Sequence, residues 1–278
     1  MNNGRKHIKL VAFDLDGTLL NSDKAISGGD REALLSAHAA GVELVPATGR
    51  LLMALPEEVK SLPINYCIAI NGAGIYDIRE GKSIARSEMP MERVIELMGY
   101  LDRLPVVYDC YMEDRGYMTF DMKDRAADYI KEPEYQKLIN SFREGVPDLK
   151  AHVRNRGKSV QKVQFFVRYR EDKERLKAEV MEHFPEFVFT SSSLDNIEIN
   201  SRDANKGEGI KRLAEYLKLP MESTMALGDG SNDSAMLRAA GVGVAMGNAA
   251  PDVKSAADFV TGNNDSEGVR QALERWVL

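Results

Sequence analysis

The chain has 278 residues, 44% of them hydrophobic and 29% charged, with a formal net charge of −6. That is an ordinary globular composition, long enough for one large domain or two modest ones, and its acidic balance leaves no basic footprint for nucleic acid. Cys67 and Cys110 lie far apart without a pattern, which argues against a disulfide frame, and no run approaches the roughly 20 apolar residues of a membrane span.

The start, Met1-Asn2-Asn3-Gly4-Arg5-Lys6, is positively charged, but Asp14 cuts the apolar run behind it before it could serve as a signal core. A cytoplasmic location is expected from these absences. The run Ile8, Leu10, Val11, Ala12, Phe13 predicts a strand over 8–13 that ends in Asp14-Leu15-Asp16-Gly17-Thr18. In extended chain, two acids two residues apart share one side, and Gly17 lets the chain turn so that backbone N–H groups can face an anion. Ligands of open α/β sheets sit at such carboxyl ends, so the segment points to chemistry on phosphate.

Next come a helix over about 28–40, a strand over 42–47, a helix over about 51–60 and a strand over 66–70. Ser27 is placed to cap the first helix with Asp30 at the capping-box position, and Gly41 to end it. Alternation of this kind predicts a parallel sheet covered by helices. Residues 74–84 read as a hairpin leading out of it.

From about 85 to 190 the texture changes to candidate helices at 90–102, 123–142 and 172–183, interleaved with strands near 105–111, 116–120 and 160–167. This α+β pattern suits a separate lid, with Ser191-Ser192-Ser193 as part of the return. Arg154, Arg156, Lys158 and Lys162 read as a solvated hairpin, or in a sharper reading as a recognition patch for an acidic sugar phosphate. Tyr108, Tyr111 and Tyr117 either line a sugar-binding face or pack inside the insertion. The first pattern resumes near 207 with a helix, then strands at 224–227, 242–245 and 258–260 and a final helix over 266–278. The expected division is a discontinuous core of 1–84 and 191–278 around an insertion of 85–190.

Four pieces then stand in order: the Asp14–Thr18 segment, Thr48 at the end of an apolar run, Lys206 opening a helical segment, and Gly228-Asp229-Gly230-Ser231-Asn232-Asp233 after Met225-Ala226-Leu227. Together they resemble the signature of the haloacid dehalogenase superfamily. Ala47-Thr48-Gly49-Arg50, Asn71-Gly72-Ala73, Asn205-Lys206-Gly207 and the Gly-Asp-Gly-x-Asn-Asp loop resemble its Cof-type sugar-phosphatase branch. The resemblance covers nearly the whole chain and implies a Rossmann-like α/β core with an inserted α+β cap.

It also implies a Mg²⁺-dependent phosphatase of small phosphorylated metabolites, sugar phosphates among them. Asp14 would be the nucleophile that becomes an aspartyl phosphate, and Asp16 the general acid/base. Asp14, the backbone carbonyl of Asp16 and Asp229 would ligate Mg²⁺, with Asp233 either a ligand or a residue orienting one. Thr48 and Lys206 would hold phosphoryl oxygens, with Asn232, Gly17, Thr18 and Arg50 as further contacts. A phosphomutase using the same intermediate is the alternative, and a receiver-like phospho-aspartate switch a more distant one. His7, His38, His152 and His183 are scattered without metal-ligand spacing. Neither the individual substrate nor the oligomeric state is legible.

Overall fold

A computed structural model describes residues 7–278, so the charged N-terminal hexapeptide and its reading lie outside the described residues. The chain divides into two compact units: Met1–Arg50, Leu55–Arg86 and Asn205–Leu278 form one, and Leu51–Ala54 with Ser87–Ala204 form the other.

In the first unit a five-stranded parallel sheet runs in the order Phe259–Val260, Val242–Ala245, Thr224–Gly228, Leu10–Phe13, Glu43–Pro46. The central strand, Leu-Val-Ala-Phe, is buried at every position, as a strand covered on both faces must be. Its register sets Phe13 beside Leu227 on one side and Pro46 on the other. All three strands therefore run out together, and the residues just past their ends are neighbours. Tyr66–Ala69 is tied alongside by a parallel bridge from Ala47 to Ile68, and it opens an antiparallel sheet with Gly74–Asp77 and Lys82–Arg86.

Helix Gly28–Ala39 starts as its sequence demands, with the Ser27 side chain accepting from Asp30 N–H. The expected helix over 51–60 is instead a 3-10 turn at Leu52–Ala54 and one α turn at Glu57–Lys60, because Pro56 sits between them.

The second unit is built on a six-stranded sheet ordered Phe187–Thr190, Asn196–Ser201, Lys162–Val167, Val106–Met112, Arg115–Thr119, Arg143–Val146. Strand alternation gives it two unlike faces. Tyr108, Cys110, Val163, Phe165, Ile197 and Ile199 join an apolar core with Val94, Leu97, Val153 and Val180 from three helices. The opposite face carries Asp109, Lys162, Gln164 and Glu198, all fully buried. There Arg143 Nε donates to Asp109 Oδ2 at 2.6 Å, and Lys162 Nζ to Glu198 Oε1 at 2.8 Å.

Several readings of the insertion change here. The strand pairing of Asn196–Ser201 with Lys162–Val167 keeps residues 191–204 in this unit, so the chain returns to the first unit at Asn205 and not at 191. The helix expected over 123–142 is three pieces, Phe120–Asp124, Ala126–Tyr129 and Pro133–Phe142, the last starting on a proline at its first turn. The basic cluster is no hairpin: Arg154 and Arg156 end the helix Leu149–Arg156, while Lys162 opens a strand and is buried in its ion pair. Tyr108, Tyr111 and Tyr117 are all buried, with Tyr108 donating to Asp102 at 2.6 Å. Among the described residues no helix is long and apolar enough to cross a membrane.

Candidate active site

The aligned strand ends of the first unit gather the acidic residues. Asp14 follows Phe13 directly, and its N–H donates to Leu227 O at 3.0 Å, which fixes the neighbouring strand's exit into Asp229. Asp14, Asp229 and Asp233 each offer a ligand atom, all within 4.8 Å of one another. Lys206 lies at the first turn of helix Lys206–Tyr216, capped by Asn205, and has no exposed side-chain surface. Its Nζ donates to Asp14 Oδ1 at 2.7 Å and to Asp233 Oδ1 at 2.6 Å.

Three carboxylates around one ammonium leave an excess of negative charge in a buried space. Burial pushes the Asp14 carboxyl well above the usual range; Lys206 opposes this, and the Asp233 and Asp229 charges add to it. Burial and the nearby Asp233 push Asp229 up to about 6, against the Thr18 hydrogen bond that favours its anion. Burial works against the Lys206 ammonium, yet Asp14 and Asp233 outweigh it and hold its pKa above the ordinary value.

Such a set fits a hard divalent cation: the donors are carboxylate oxygens, and the strain between them is what added positive charge relieves. The three acids are not equivalent. Asp233 spends Oδ1 on Lys206 and Oδ2 on the N–H groups of Asp229 and Gly230, at 2.9 and 2.8 Å. Asp229 takes the Thr18 hydroxyl on Oδ1 at 2.8 Å, and Asp14 takes Lys206 on Oδ1.

Asp16 stands apart from that cluster. Arg50 clamps it with two bonds, Nε to Oδ2 at 2.9 Å and Nη2 to Oδ1 at 2.8 Å, and Lys24 reaches Oδ1 at 3.1 Å. Burial raises its carboxyl, but Arg50 and then Lys24 outweigh this and hold Asp16 below the usual carboxylate range. Arg50 thus spends Nε and Nη2 on Asp16 in this structure.

Gly17 has φ +82°, and a Cβ there would lie 2.4 Å from Asp229 Oδ2. The glycine is required by the turn and by the close approach of this carboxylate. Thr48 is buried; its Oγ1 accepts from Arg50 N–H at 3.2 Å and its carbonyl from Asn71 N–H at 3.0 Å. Asn232 Nδ2 donates to Asn71 Oδ1 at 3.1 Å.

Sequence reasoning had no role for Lys24, Thr18's bond to Asp229, or the side chain of Asn71. Lys24 sits in a loop with no local signal, and only the third dimension joins Asn71 to Asn232, 161 positions apart. The two cysteines are buried and free, and burial pushes the Cys67 thiol up to about 12, so neither is a reactive group of this site.

Comparison with known proteins identifies what the whole chain is similar to. A family profile described as haloacid dehalogenase-like hydrolase matches residues 11–273. The phosphatase YwpJ of Bacillus subtilis is 33% identical over 96% of this chain and 99% of its own. The 5-amino-6-(5-phospho-D-ribitylamino)uracil phosphatase YcsE of the same organism is 31% identical over 98% and 96%. Among solved structures, the subclass IIB sugar phosphatase BT4131 superposes with a TM-score of 0.79 at 28% identity, over 96% of this chain and 98% of that one.

Proposed function

This chain belongs to the haloacid dehalogenase-like hydrolases, in their Cof-type branch, and is a phosphatase of small phosphorylated metabolites; from that premise we propose that it hydrolyses sugar phosphates with Mg²⁺ through an aspartyl phosphate on Asp14. The observation that carries the reading is the pairing of Lys206 with Asp14 Oδ1, which orients the carboxylate and balances its charge while Asp229 stands beside it.

In the first step Asp14 attacks phosphorus, the P–O bond to the sugar breaks, and Asp16 gives its proton to the leaving oxygen. In the second step Asp16 takes a proton from water as the water oxygen attacks phosphorus. The P–O bond to Asp14 then breaks, and orthophosphate leaves with both aspartates restored. Lys206 and Thr48 hold phosphoryl oxygens, and Asn232 adds an amide donor.

Asp14 and Asp229, with the backbone carbonyl of Asp16, would hold Mg²⁺, and Asp233, whose oxygens are taken by protein donors, orients the Asp229 loop. Bound there, the cation supplies charge neutralisation for the phosphoryl group.

The clamp on Asp16 adds a requirement. Held by Arg50 and Lys24, Asp16 is a carboxylate, the form that takes a proton from water; donating one to the leaving group requires that clamp to loosen. We assign the inserted α+β unit the part of a substrate lid, because it interrupts the catalytic unit between Arg86 and Asn205. A sugar substrate draws support from the named activity of BT4131.

Inorganic phosphate release from a panel of sugar phosphates, with and without Mg²⁺, tests the proposal. Metal-dependent release that vanishes in Asp14→Asn supports it, and phosphate moved between hydroxyls of the sugar points to the mutase. Turnover retained in Asp14→Asn rules out the nucleophile.

A further inference from the structure

The segment Ile70-Asn71-Gly72 runs through three consecutive left-handed residues, with φ of +53°, +56° and +91°. An Asn-Gly pair with positive φ is an ordinary way to close a hairpin. Hairpin closure asks nothing of Ile70, a β-branched residue that disfavours this region, and nothing of the Asn71 side chain. Strain of this kind persists only where surrounding structure enforces it.

What enforces it is a set of contacts with three loops of the site. Ile70 N–H donates to Arg50 O at 3.0 Å, and Asn71 N–H to Thr48 O at 3.0 Å, which pins the loop after the Glu43–Pro46 strand. Gly72 lies so close to the Asn205 carbonyl that a Cβ would come within 2.3 Å of it. Asn205 is the cap of the Lys206 helix, its side chain accepting from Glu208 N–H at 2.9 Å. The buried Asn71 carboxamide oxygen accepts Asn232 Nδ2.

We propose that Asn71 is a positioning residue for phosphoryl binding: its side-chain oxygen aims the Asn232 amide, and its left-handed backbone holds the Thr48 loop beside the start of the Lys206 helix. This rests on the phosphatase reading, in which Thr48, Lys206 and Asn232 bind the phosphoryl group.

Asn71→Gly tolerates the left-handed backbone and removes the carboxamide, the Asn232 acceptor with it, and the double-mutant cycle isolates that one bond. The test is a double-mutant cycle of Asn71→Gly with Asn232→Ala, reading kcat and KM on an active sugar phosphate, with thermal melts of all four proteins. In Asn71→Gly alone KM rises by about 3- to 10-fold, the worth of one hydrogen bond, with a smaller change in kcat. In the Asn232→Ala background the same substitution leaves KM unchanged. Additive effects on KM, or a lowered melting temperature with KM intact, overturn the proposal while the phosphatase reading stands. A wild-type protein that releases no phosphate overturns both.

Discussion

Lys206 Nζ lies 2.7 Å from Asp14 Oδ1, joining residues 192 positions apart in a place where the lysine side chain is fully buried. The ammonium is there because two carboxylates hold it, and the carboxylates tolerate burial because of the ammonium. Lys206→Met removes one partner and strands the others. The expected result is a loss of about 10²–10³-fold in kcat/KM, the scale of removing a preorganised charge from a reacting oxyanion. Steady-state kinetics read it, and urea unfolding is expected to show a stability loss of about 3–5 kcal/mol in the metal-free protein.

The raised pKa of Asp229 makes metal binding and stability depend on pH in a defined direction. Between the ordinary 3.8 and the folded value of about 6, the folded chain binds more protons at this residue than the unfolded chain does. The Asp229 contribution therefore lowers stability as pH rises through that window, and the penalty is complete above it. Asp14, raised also, acts in the same direction. A divalent cation must displace the Asp229 proton at pH 5 and finds it largely gone at pH 7. The gain in melting temperature on adding Mg²⁺ is accordingly expected to be larger at pH 7 than at pH 5. Equal gains at both, or a larger one at pH 5, would remove Asp229 from the ligand set.

Arg50 and Asp16 form the second electrostatic unit. With Asp16 protonated for the first step, kcat/KM falls on the alkaline side as that proton is lost. Arg50 holds the carboxyl low, so Arg50→Met is expected to move the alkaline limb of the kcat/KM profile to higher pH. A limb that stays in place in Arg50→Met would assign it to another group.

Much of this centre was legible because its residues stand next to strand ends. A buried parallel strand announces itself as an apolar run, and the position after it is fixed by the register, so Asp14, Thr48 and Asp229 could be read in one dimension. Ser27 was equally local, since a cap and the helix it starts are adjacent in sequence. The Arg50 clamp and the Asn71–Asn232 bond were not legible, because a side chain's partner is chosen by packing between distant segments. Inside the insertion, short strands such as Arg143–Val146 and Phe187–Thr190 carry too few residues for a period to show. Lys162 was misread for a related reason: a lysine signals solvent until its partner, Glu198, is known.

The charged face of the inserted sheet constrains how this protein can diverge. Asp109 with Arg143, and Lys162 with Glu198, are buried pairs in which changing one member strands the other, whereas replacing both with apolar residues of matching volume keeps the sheet packed. The apolar contacts on both sides of the sheet can drift through volume-conserving swaps, each usually costing less than about 1.5 kcal/mol. The two ion pairs can change only in coordinated double steps, so relatives are expected to keep these pairs whole or lose them whole.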